Sequence, residues 1–455
     1  SRISSGTKIP PKQRTKKKDQ RFQANMMNDT SQFLYDEFRI APGVLSVINE
    51  AESQLTGVYR RLDQIKEYNQ YKVLAAFQKC RITDMHFSWH TGYGYDDPGR
   101  AALERLYAAI FGTKAALVRP TIVNGTHALA SVYLGILRPG DELIYCTGRP
   151  YDTMETIIGL RGQDQGSLKD FGITYKQVEL TPEGRIDLPA VVRAITDRTR
   201  MVSVQRATGY SFRQPIGIDE IRAWASECKA AKADIICMTD NCYGEFTQTA
   251  EPTNAGVDII AGSLIKNPGG GLALSGGYVA GREDLVEKVS YRVTSPGIGG
   301  ECGLTFGQTR AMFQGMFLAP SVVNGAMKGA ALCAQVFQNL GYEVCPPPDA
   351  ERNDVIQAVK MGSPEAVTAC CEGVQKASPV DAHVAPAAWD MPGYGDQVIM
   401  AAGTFVQGAS IELSADAPMR EPYIAYFQGG LTYEHAKFGV LKTLSHLIET
   451  GHTSL

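Results

Sequence analysis

The sequence has 455 residues, of which 44% are hydrophobic and 20% are charged. This length and composition predict a globular protein of two to three structural units and exclude a fibrous or wholly disordered chain. The formal net charge of -3 gives no indication of a nucleic-acid or membrane partner. Glycine is unusually frequent at 46 residues, which predicts tight turns and close approaches of the backbone to a ligand.

Residues 1–23 are a basic head that contains eight Lys or Arg residues and one acidic residue. Because the segment has few apolar residues and two adjacent prolines, we expect a disordered arm. Its composition fits a solvated tail, a nucleic-acid-binding arm or the remains of an organelle transit segment. The solvated tail is the favoured interpretation.

The ten cysteines do not form a disulfide scaffold or a zinc-binding pattern, and Cys370 and Cys371 are the only adjacent pair. We therefore expect free thiols in a reducing compartment and no bound metal. No apolar run reaches the roughly 18 residues of a membrane helix. These features predict a soluble intracellular protein in the cytoplasm, or in a plastid or mitochondrion if the basic head is a transit remnant.

Apolar spacings of three, four and seven predict an N-terminal helical layer over residues 32–77. A glycine-rich loop over residues 89–99 and a helix over Arg100–Phe111 follow. Seven β-rich runs come next, with helices such as Leu188–Ile195 and Ile218–Ala230 between them. The seven runs are Ala116–Val123, Asp141–Cys146, Ile173–Leu180, Met201–Arg206, Asp234–Asp240, Val257–Leu264 and Gly277–Gly281. This alternation predicts an α/β fold with a mostly parallel sheet, helices on both faces and ligands at the carboxyl ends of the strands.

A Pro-rich stretch between Cys345 and Asp390 indicates a boundary before a small α+β unit. In that unit we predict strands over Gln397–Phe405 and Ala409–Leu413 and a closing helix over Thr432–Thr450. The predicted division is therefore a basic head (1–23), an N-terminal helical arm with a subunit-contact loop (24–98), a large ligand-binding domain (99–330) and a small C-terminal domain (331–455).

Three features of the predicted large domain indicate chemistry. Lys266 ends a buried-looking strand before a run of glycines, and an amine whose pKa is lowered by burial forms Schiff bases with carbonyl compounds such as pyridoxal phosphate (PLP). Asp240 ends another apolar strand, where its carboxylate could pair with a pyridinium nitrogen. Gly125 and Thr126 begin a helix after a strand, a position that favours a phosphate. Taken alone, each feature also has a structural explanation. Lys266 could be a surface lysine, Asp240 could cap a turn, and Gly125 could belong to an ordinary strand-to-helix turn.

The combined order of glycine turn, Tyr151, Asp240 and Ser263-x-x-Lys266 resembles the fold-type I PLP enzymes of the Cys/Met metabolism group. Within that group the chain is most similar to the methionine gamma-lyase and cystathionine beta-lyase-like proteins of the aluminium-resistance family. This resemblance covers roughly residues 31–450. It is carried by residues 92–97, 150–153, 263–271 and 418–423.

The resemblance implies a seven-stranded fold-type I architecture and a role for each matching residue. Lys266 would bind PLP covalently and move protons at the substrate Cα, and Asp240 would hold the pyridinium nitrogen. Gly125, Thr126 and Ser263 would hold the phosphate. Tyr151 would stack on the ring and could serve as acid or base.

The resemblance also implies contributions from outside the predicted cofactor loops. Tyr93, Tyr95 and Arg100 would contact the phosphate of a neighbouring subunit, in a dimer within a homotetramer. Arg420 would bind the substrate carboxylate. Two residues depart from the usual pattern, since Ile265 and Cys242 stand where phosphate-binding threonines are usual. His127 either contacts the cofactor or has a structural role.

These features predict a PLP-dependent carbon-sulfur lyase that acts on a methionine-, cystathionine- or cysteine-type amino acid by β- or γ-elimination. Alternatives are an aminotransferase, a γ-replacement synthase or a carbon-carbon lyase on the same fold. A third alternative is a catalytically silent protein that acts in assembly or binds polyanions through its basic head.

Overall fold

The computed structural model describes residues 29–455, so the predictions for the basic head lie outside the described residues. The predicted N-terminal helical layer is confirmed as three helices: α1 (residues 29–38), α2 (Pro42–Gln54) and α3 (Thr56–Lys79). The chain breaks before α2 because Arg39 has a positive φ of 59° and Pro42 begins the next helix. After the predicted loop comes α4 (Pro98–Phe111), which the side chain of Asp97 caps.

The large sheet contains the seven predicted strands, which are shorter than the β-rich runs. They are β1 (Ala115–Arg119), β2 (Glu142–Tyr145), β3 (Thr174–Gln177), β4 (Thr199–Gln205), β5 (Ile236–Asp240), β6 (Ile259–Ser263) and β7 (Gly277–Gly281). Their order in the sheet is β1-β7-β6-β5-β4-β2-β3. Only β7 is antiparallel to its neighbours. The other six strands run the same way, so their carboxyl ends lie at one edge of the sheet.

Helices cover both faces of this sheet, as predicted. The covering helices are α5 (Gly125–Ile136), α6 (Asp152–Ile158), α7 (Leu188–Ala194), α8 (Ile218–Ala231) and α9 (Glu283–Val293). Successive strand residues alternate between two hydrophobic clusters: Val202 and Cys237 belong to one, and Met201 and Ile236 belong to the other. This alternation confirms a sheet that is buried on both faces. This is the seven-stranded arrangement that the resemblance implied.

A long helix that the sequence reading did not identify, α10 (Thr309–Asn339, 31 residues), follows the large sheet. By length and composition it could span a membrane, but 78% of its most apolar window is buried inside the protein. Its apolar composition is therefore that of a core helix. The predicted domain boundary after residue 330 falls within α10, so the division by residue number stays a prediction.

The C-terminal unit contains an antiparallel five-stranded sheet with the order β10-β11-β12-β9-β8. Its elements are β8 (Val344–Cys345), β9 (Ile356–Lys360), α11 (Pro364–Gln375), β10 (Val398–Ala401), β11 (Ser414–Pro418), β12 (Ile424–Gln428) and α12 (Tyr433–Glu449). The predicted closing helix is confirmed, and β10 lies within the predicted strand over residues 397–405.

The predicted strand over Ala409–Leu413 is wrong, because that segment is a turn and the strand begins at Ser414. The Glu412 side chain explains the difference. Its carboxylate accepts hydrogen bonds from the backbone N–H groups of Phe405 at 2.8 Å and Val406 at 2.9 Å. These bonds fold residues 405–412 back on themselves, which removes the segment from the sheet.

The glycines after Lys266 do not have the role that the composition suggested. A Cβ atom on Gly269 would lie 1.7 Å from the carbonyl oxygen of Leu264, and one on Gly270 would lie 2.2 Å from that of Gly315 in α10. These glycines therefore allow close packing of backbone against backbone rather than against a ligand. The ten cysteines are free, and seven of them are buried.

Candidate active site

A cavity of about 380 Å³ lies between the carboxyl edge of the large sheet and the C-terminal unit. Six residues predicted from the sequence line it: Gly125, Thr126, Tyr151, Asp240, Ser263 and Lys266. They are far apart in the chain but come together because each lies at or after the carboxyl end of a parallel strand. Such an edge is where α/β sheets bind ligands.

Lys266 lies three residues after β6, in a turn, and its side chain points at an aromatic ring. Its Nζ lies 4.1 Å from the centre of the Tyr243 ring. Burial acts to lower the pKa of the Lys266 ammonium, but the Cys242, Tyr243 and Asp240 side chains act in the opposite direction and raise that pKa above its usual value. Burial therefore acts in the predicted direction, but in this arrangement of side chains the neighbouring groups outweigh it and the net shift of the Lys266 pKa is upward.

Asn267 fixes the backbone next to Lys266. The fully buried Asn267 side chain donates hydrogen bonds of 2.9 Å to the carbonyl oxygens of both Tyr243 and Glu245. These bonds tie the turn after β6 to the turn after β5. The lysine is thereby held at a fixed position relative to Asp240.

Asp240 ends β5 and is buried. One carboxylate oxygen accepts the backbone N–H of Cys242 at 3.0 Å. Burial raises the pKa of the Asp240 carboxyl, although Lys266 and the Cys242 N–H act to lower it. A carboxylate in such surroundings is stabilised by a nearby positive charge.

The first turn of α5 provides a place for an anion. The side chain of Asn124 caps the helix by accepting the N–H of His127 at 2.8 Å, while the N–H groups of Gly125 and Thr126 have no acceptor within the helix. A Cβ atom on Gly125 would lie 3.2 Å from the Ser263 Cβ and 3.3 Å from the Cys242 Sγ. Glycine is needed here because α5 begins so close to the ends of β5 and β6.

Tyr151 follows β2 and belongs to a cluster of tyrosines in the cavity. Its hydroxyl lies 2.8 Å from the Tyr394 hydroxyl, and its ring centre lies 5.4 Å from that of Tyr210. Its backbone N–H donates to the Gln205 side chain at 3.1 Å. Burial raises the Tyr151 pKa well above its usual value, so the hydroxyl is a proton donor at neutral pH.

The two departures from the usual pattern both line the cavity. The backbone N–H of Ile265 donates to the Ser263 hydroxyl oxygen at 3.3 Å, which leaves the hydroxyl proton available for another acceptor. Burial raises the pKa of the Cys242 thiol well above its usual value, so the thiol is neutral. His127 accepts the backbone N–H of Val123 at 3.2 Å and does not line the cavity, which favours its structural role.

The residues predicted to reach a neighbouring subunit lie outside this cavity. Tyr93 and Tyr95 are 71% and 60% exposed, and their rings stack at 5.3 Å between centres. Arg100 is buried, and it donates hydrogen bonds to the carbonyl oxygens of three residues of its own chain, Gly94, Glu301 and Gly303. The role of all three in another subunit's site stays a prediction.

Arg420 is also outside the cavity. It lines a small neighbouring pocket and forms an ion pair with Asp396 at 2.6 Å. No arginine lines the cavity among residues 29–455, and Lys266 is its only basic residue. The structure therefore does not bring Arg420 together with the other predicted residues, and its substrate contact stays a prediction.

The sequence reading missed several cavity residues, most of them polar. They are Thr153, Gln205, Tyr210, Tyr243, Tyr394, Asp416 and Gln428. Tyr243 could have been found from its position three residues after Asp240. Asp416 also had a signal, because it is the one charged residue in the otherwise small and apolar strand β11.

Comparison with known proteins agrees with this fold. Residues 44–448 match the profile of the methionine gamma-lyase family. YnbB of Bacillus subtilis, a protein named without an activity, is 49% identical over 401 residues, which are 88% of this chain and 95% of YnbB. A carbon-sulfur lyase involved in aluminium resistance from Clostridium novyi is 48% identical, with a TM-score of 0.88 over 92% of this chain and 99% of that one.

More distant structures share only the fold. Cystathionine gamma-lyase from Lactobacillus plantarum is 19% identical, with a TM-score of 0.52 over 77% of this chain and 87% of that one. The architecture therefore places the protein among the fold-type I PLP folds. Because the family profile covers most of the chain, the protein belongs to the methionine gamma-lyase family.

Proposed function

We propose that this protein is a PLP-dependent carbon-sulfur lyase that cleaves a sulfur-containing amino acid by β- or γ-elimination. The observation that carries the proposal is the convergence of Lys266, Asp240 and the first turn of α5 on one cavity. Similarity to the Clostridium novyi protein, which is described as a carbon-sulfur lyase, supports the choice of reaction.

The residues present fit PLP. The cofactor has an aldehyde, which an amine can bind, and a pyridinium nitrogen, which a buried carboxylate can bind. Its phosphate matches a helix N-terminus with free N–H groups. Gly125 supports this fit, since a Cβ atom there would lie only 3.2 Å from the Ser263 Cβ and 3.3 Å from the Cys242 Sγ, so glycine lets the helix start lie close to the ends of β5 and β6. Lys266 would therefore hold the aldehyde carbon, Asp240 the ring nitrogen, and Gly125, Thr126 and Ser263 the phosphate.

PLP supplies an electron sink that stabilises negative charge at the substrate Cα. The protein supplies the proton transfers. The Lys266 amine would take the Cα proton and would return a proton to a neighbouring carbon. Asp240 would hold the ring nitrogen in its protonated form, because a buried carboxylate is stabilised by an adjacent positive charge.

Tyr151 would protonate the departing sulfur. Its hydroxyl is a proton donor because burial raises its pKa. The Tyr394 hydroxyl, 2.8 Å from that of Tyr151, could then supply a replacement proton to Tyr151. The leaving thiolate would thus acquire a proton beside the tyrosines that line this part of the cavity.

The predicted intersubunit contacts complete the proposed site. In a homodimer within a tetramer, the exposed Tyr93 and Tyr95 would reach the phosphate bound by the neighbouring subunit. Arg100 would position that loop, since it already binds the Gly94 carbonyl oxygen between the two tyrosines. Arg420 would bind the substrate carboxylate after it leaves Asp396.

The test is to add PLP to the purified protein, record its absorption spectrum, and assay cystathionine, cysteine and methionine for thiol, ammonia and 2-oxo acid. We expect a visible absorption band and thiol release, both lost in Lys266→Ala. The matched control is Lys114→Ala, because Lys114 is an exposed lysine outside the cavity. A wild-type protein that binds no PLP, or that exchanges amino groups without releasing thiol, would refute the proposal.

A further inference from the structure

The wall of the cavity that faces Lys266 carries a carboxylate with no basic partner. Asp416 lies on β11 and lines the cavity. It accepts hydrogen bonds from the Tyr210 hydroxyl at 3.2 Å and from the Gln428 side-chain amide at 3.1 Å. No basic side chain among residues 29–455 forms an ion pair with it. Two neutral donors therefore hold the carboxylate in place without neutralising it.

Three tyrosine rings cluster around that of Tyr210, whose hydroxyl donates to this carboxylate. The centre of the Tyr210 ring lies 5.4 Å from that of Tyr151, 6.0 Å from that of Tyr394 and 5.3 Å from that of Tyr426. All four rings line the cavity. The faces of aromatic rings attract cations, and the attraction is larger where water is excluded. A carboxylate among tyrosine rings is thus suited to an organic cation.

The cofactor assignment leaves this group unused. Among the charged residues that line the cavity, Lys266 and Asp240 have roles toward PLP, and Asp416 is the remaining one. Burial raises the pKa of the Asp416 carboxyl to about 6, although Gln428, Tyr210 and the positive charge of Lys266 act to lower it, so the group is mostly ionised at neutral pH. Lys266 is already assigned to the cofactor, so a ligand that brings a positive charge of its own would stabilise this buried carboxylate.

We propose that Asp416, Tyr210 and Gln428 form a subsite for a second, distal ammonium group of the amino-acid substrate. The inference rests on the proposed function, because the α-amino group is the one that the cofactor engages. It narrows the substrates to sulfur amino acids that carry an amine beyond the sulfur atom. A primary ammonium fits better than a cation without N–H groups, since the carboxylate and the tyrosine hydroxyl oxygen both accept hydrogen bonds.

The test uses two ligands that cannot undergo carbon-sulfur cleavage. L-Lysine and L-2-aminoheptanoate have chains of equal length and differ in a terminal ammonium against a methyl group. We expect calorimetry on the PLP-loaded protein to show that lysine binds at least about tenfold more tightly, as a charged hydrogen bond predicts. The preference should disappear in Asp416→Asn and persist in Asp219→Asn, whose side chain is exposed and pairs with Arg222.

Equal dissociation constants for the two ligands in the wild-type protein would overturn the subsite, and so would a preference that survives Asp416→Asn. The wild-type comparison needs no variant to fold. Thiol release from S-(2-aminoethyl)-L-cysteine and S-propyl-L-cysteine, which differ in the same way, separates this inference from the proposed function. If thiol is released equally from both substrates, the lyase function is supported and the ammonium subsite is refuted. If lysine binds more tightly than 2-aminoheptanoate but neither substrate releases thiol, the subsite is supported and the lyase function is refuted.

Discussion

The stability of the protein should fall as the pH rises, because of a carboxyl group buried beneath Lys266. Glu245 lies in the turn after β5 and has no solvent exposure. One of its oxygens accepts the Tyr278 hydroxyl at 2.6 Å, and the other has no hydrogen-bond partner. Burial raises the pKa of this carboxyl from 4.5 to about 8, while the Tyr278 hydroxyl acts to lower it.

The sign and size of the effect follow from proton linkage. Between pH 4.5 and about 8 the folded state holds a proton on Glu245 that the unfolded state has released, so raising the pH favours unfolding. The stabilisation is complete below the unfolded pKa and is lost as the pH rises through the folded pKa. A shift of this size corresponds to about 5 kcal/mol over the whole range.

The perturbation that isolates this effect is Glu245→Gln, which keeps the acceptor for Tyr278 and cannot ionise. We expect the free energy of unfolding of the cofactor-free protein, measured by urea denaturation from about pH 5 to about pH 8, to fall less steeply in the variant. Glu343→Gln is the matched control, since Glu343 is exposed and pairs with Lys360, and it should follow the wild-type profile. Parallel profiles for wild type and Glu245→Gln would refute the reasoning.

Three further substitutions separate binding of the cofactor from folding. Gly125→Ala should weaken PLP binding at least about tenfold in a spectroscopic titration, because its Cβ would lie 3.2 Å from that of Ser263; unchanged affinity would contradict the phosphate assignment. Gly270→Ala should lower the free energy of unfolding by more than about 2 kcal/mol, because φ at this residue is +53° and the new Cβ atom would lie 2.2 Å from the Gly315 carbonyl oxygen. A variant with the melting temperature of the wild type would contradict this expectation. Asn267→Ala, which removes two buried hydrogen bonds, should cost about 2 to 3 kcal/mol by the same measurement, and a loss under 1 kcal/mol would count against it.

Local sequence patterns predicted the large sheet because its strands are buried on both faces. Continuous apolar runs such as the one before Asp240 mark such strands. The same reasoning failed at Ala409–Leu413. There the Glu412 carboxylate binds backbone N–H groups within its own loop, and this local competition with the sheet leaves no trace in the hydrophobic pattern.

The candidate site has one part that the sequence predicted and one part that it did not, and sheet topology explains the difference. Gly125, Asp240 and Lys266 could be grouped from the sequence by the family resemblance, and they meet at one cavity because a parallel sheet gathers the carboxyl ends of its strands at one edge. An antiparallel sheet has no such edge, because successive strands end at opposite sides. Asp416 on β11 therefore reaches the cavity through the packing of the small sheet against the large one, which no periodicity in the sequence encodes. The strands of the large sheet thus position the cofactor half of the cavity, and the packing of the small sheet positions the substrate half. Related proteins can therefore keep the cofactor half while the substrate half changes. Residues such as Asp416, rather than Lys266, should then indicate which substrate is bound.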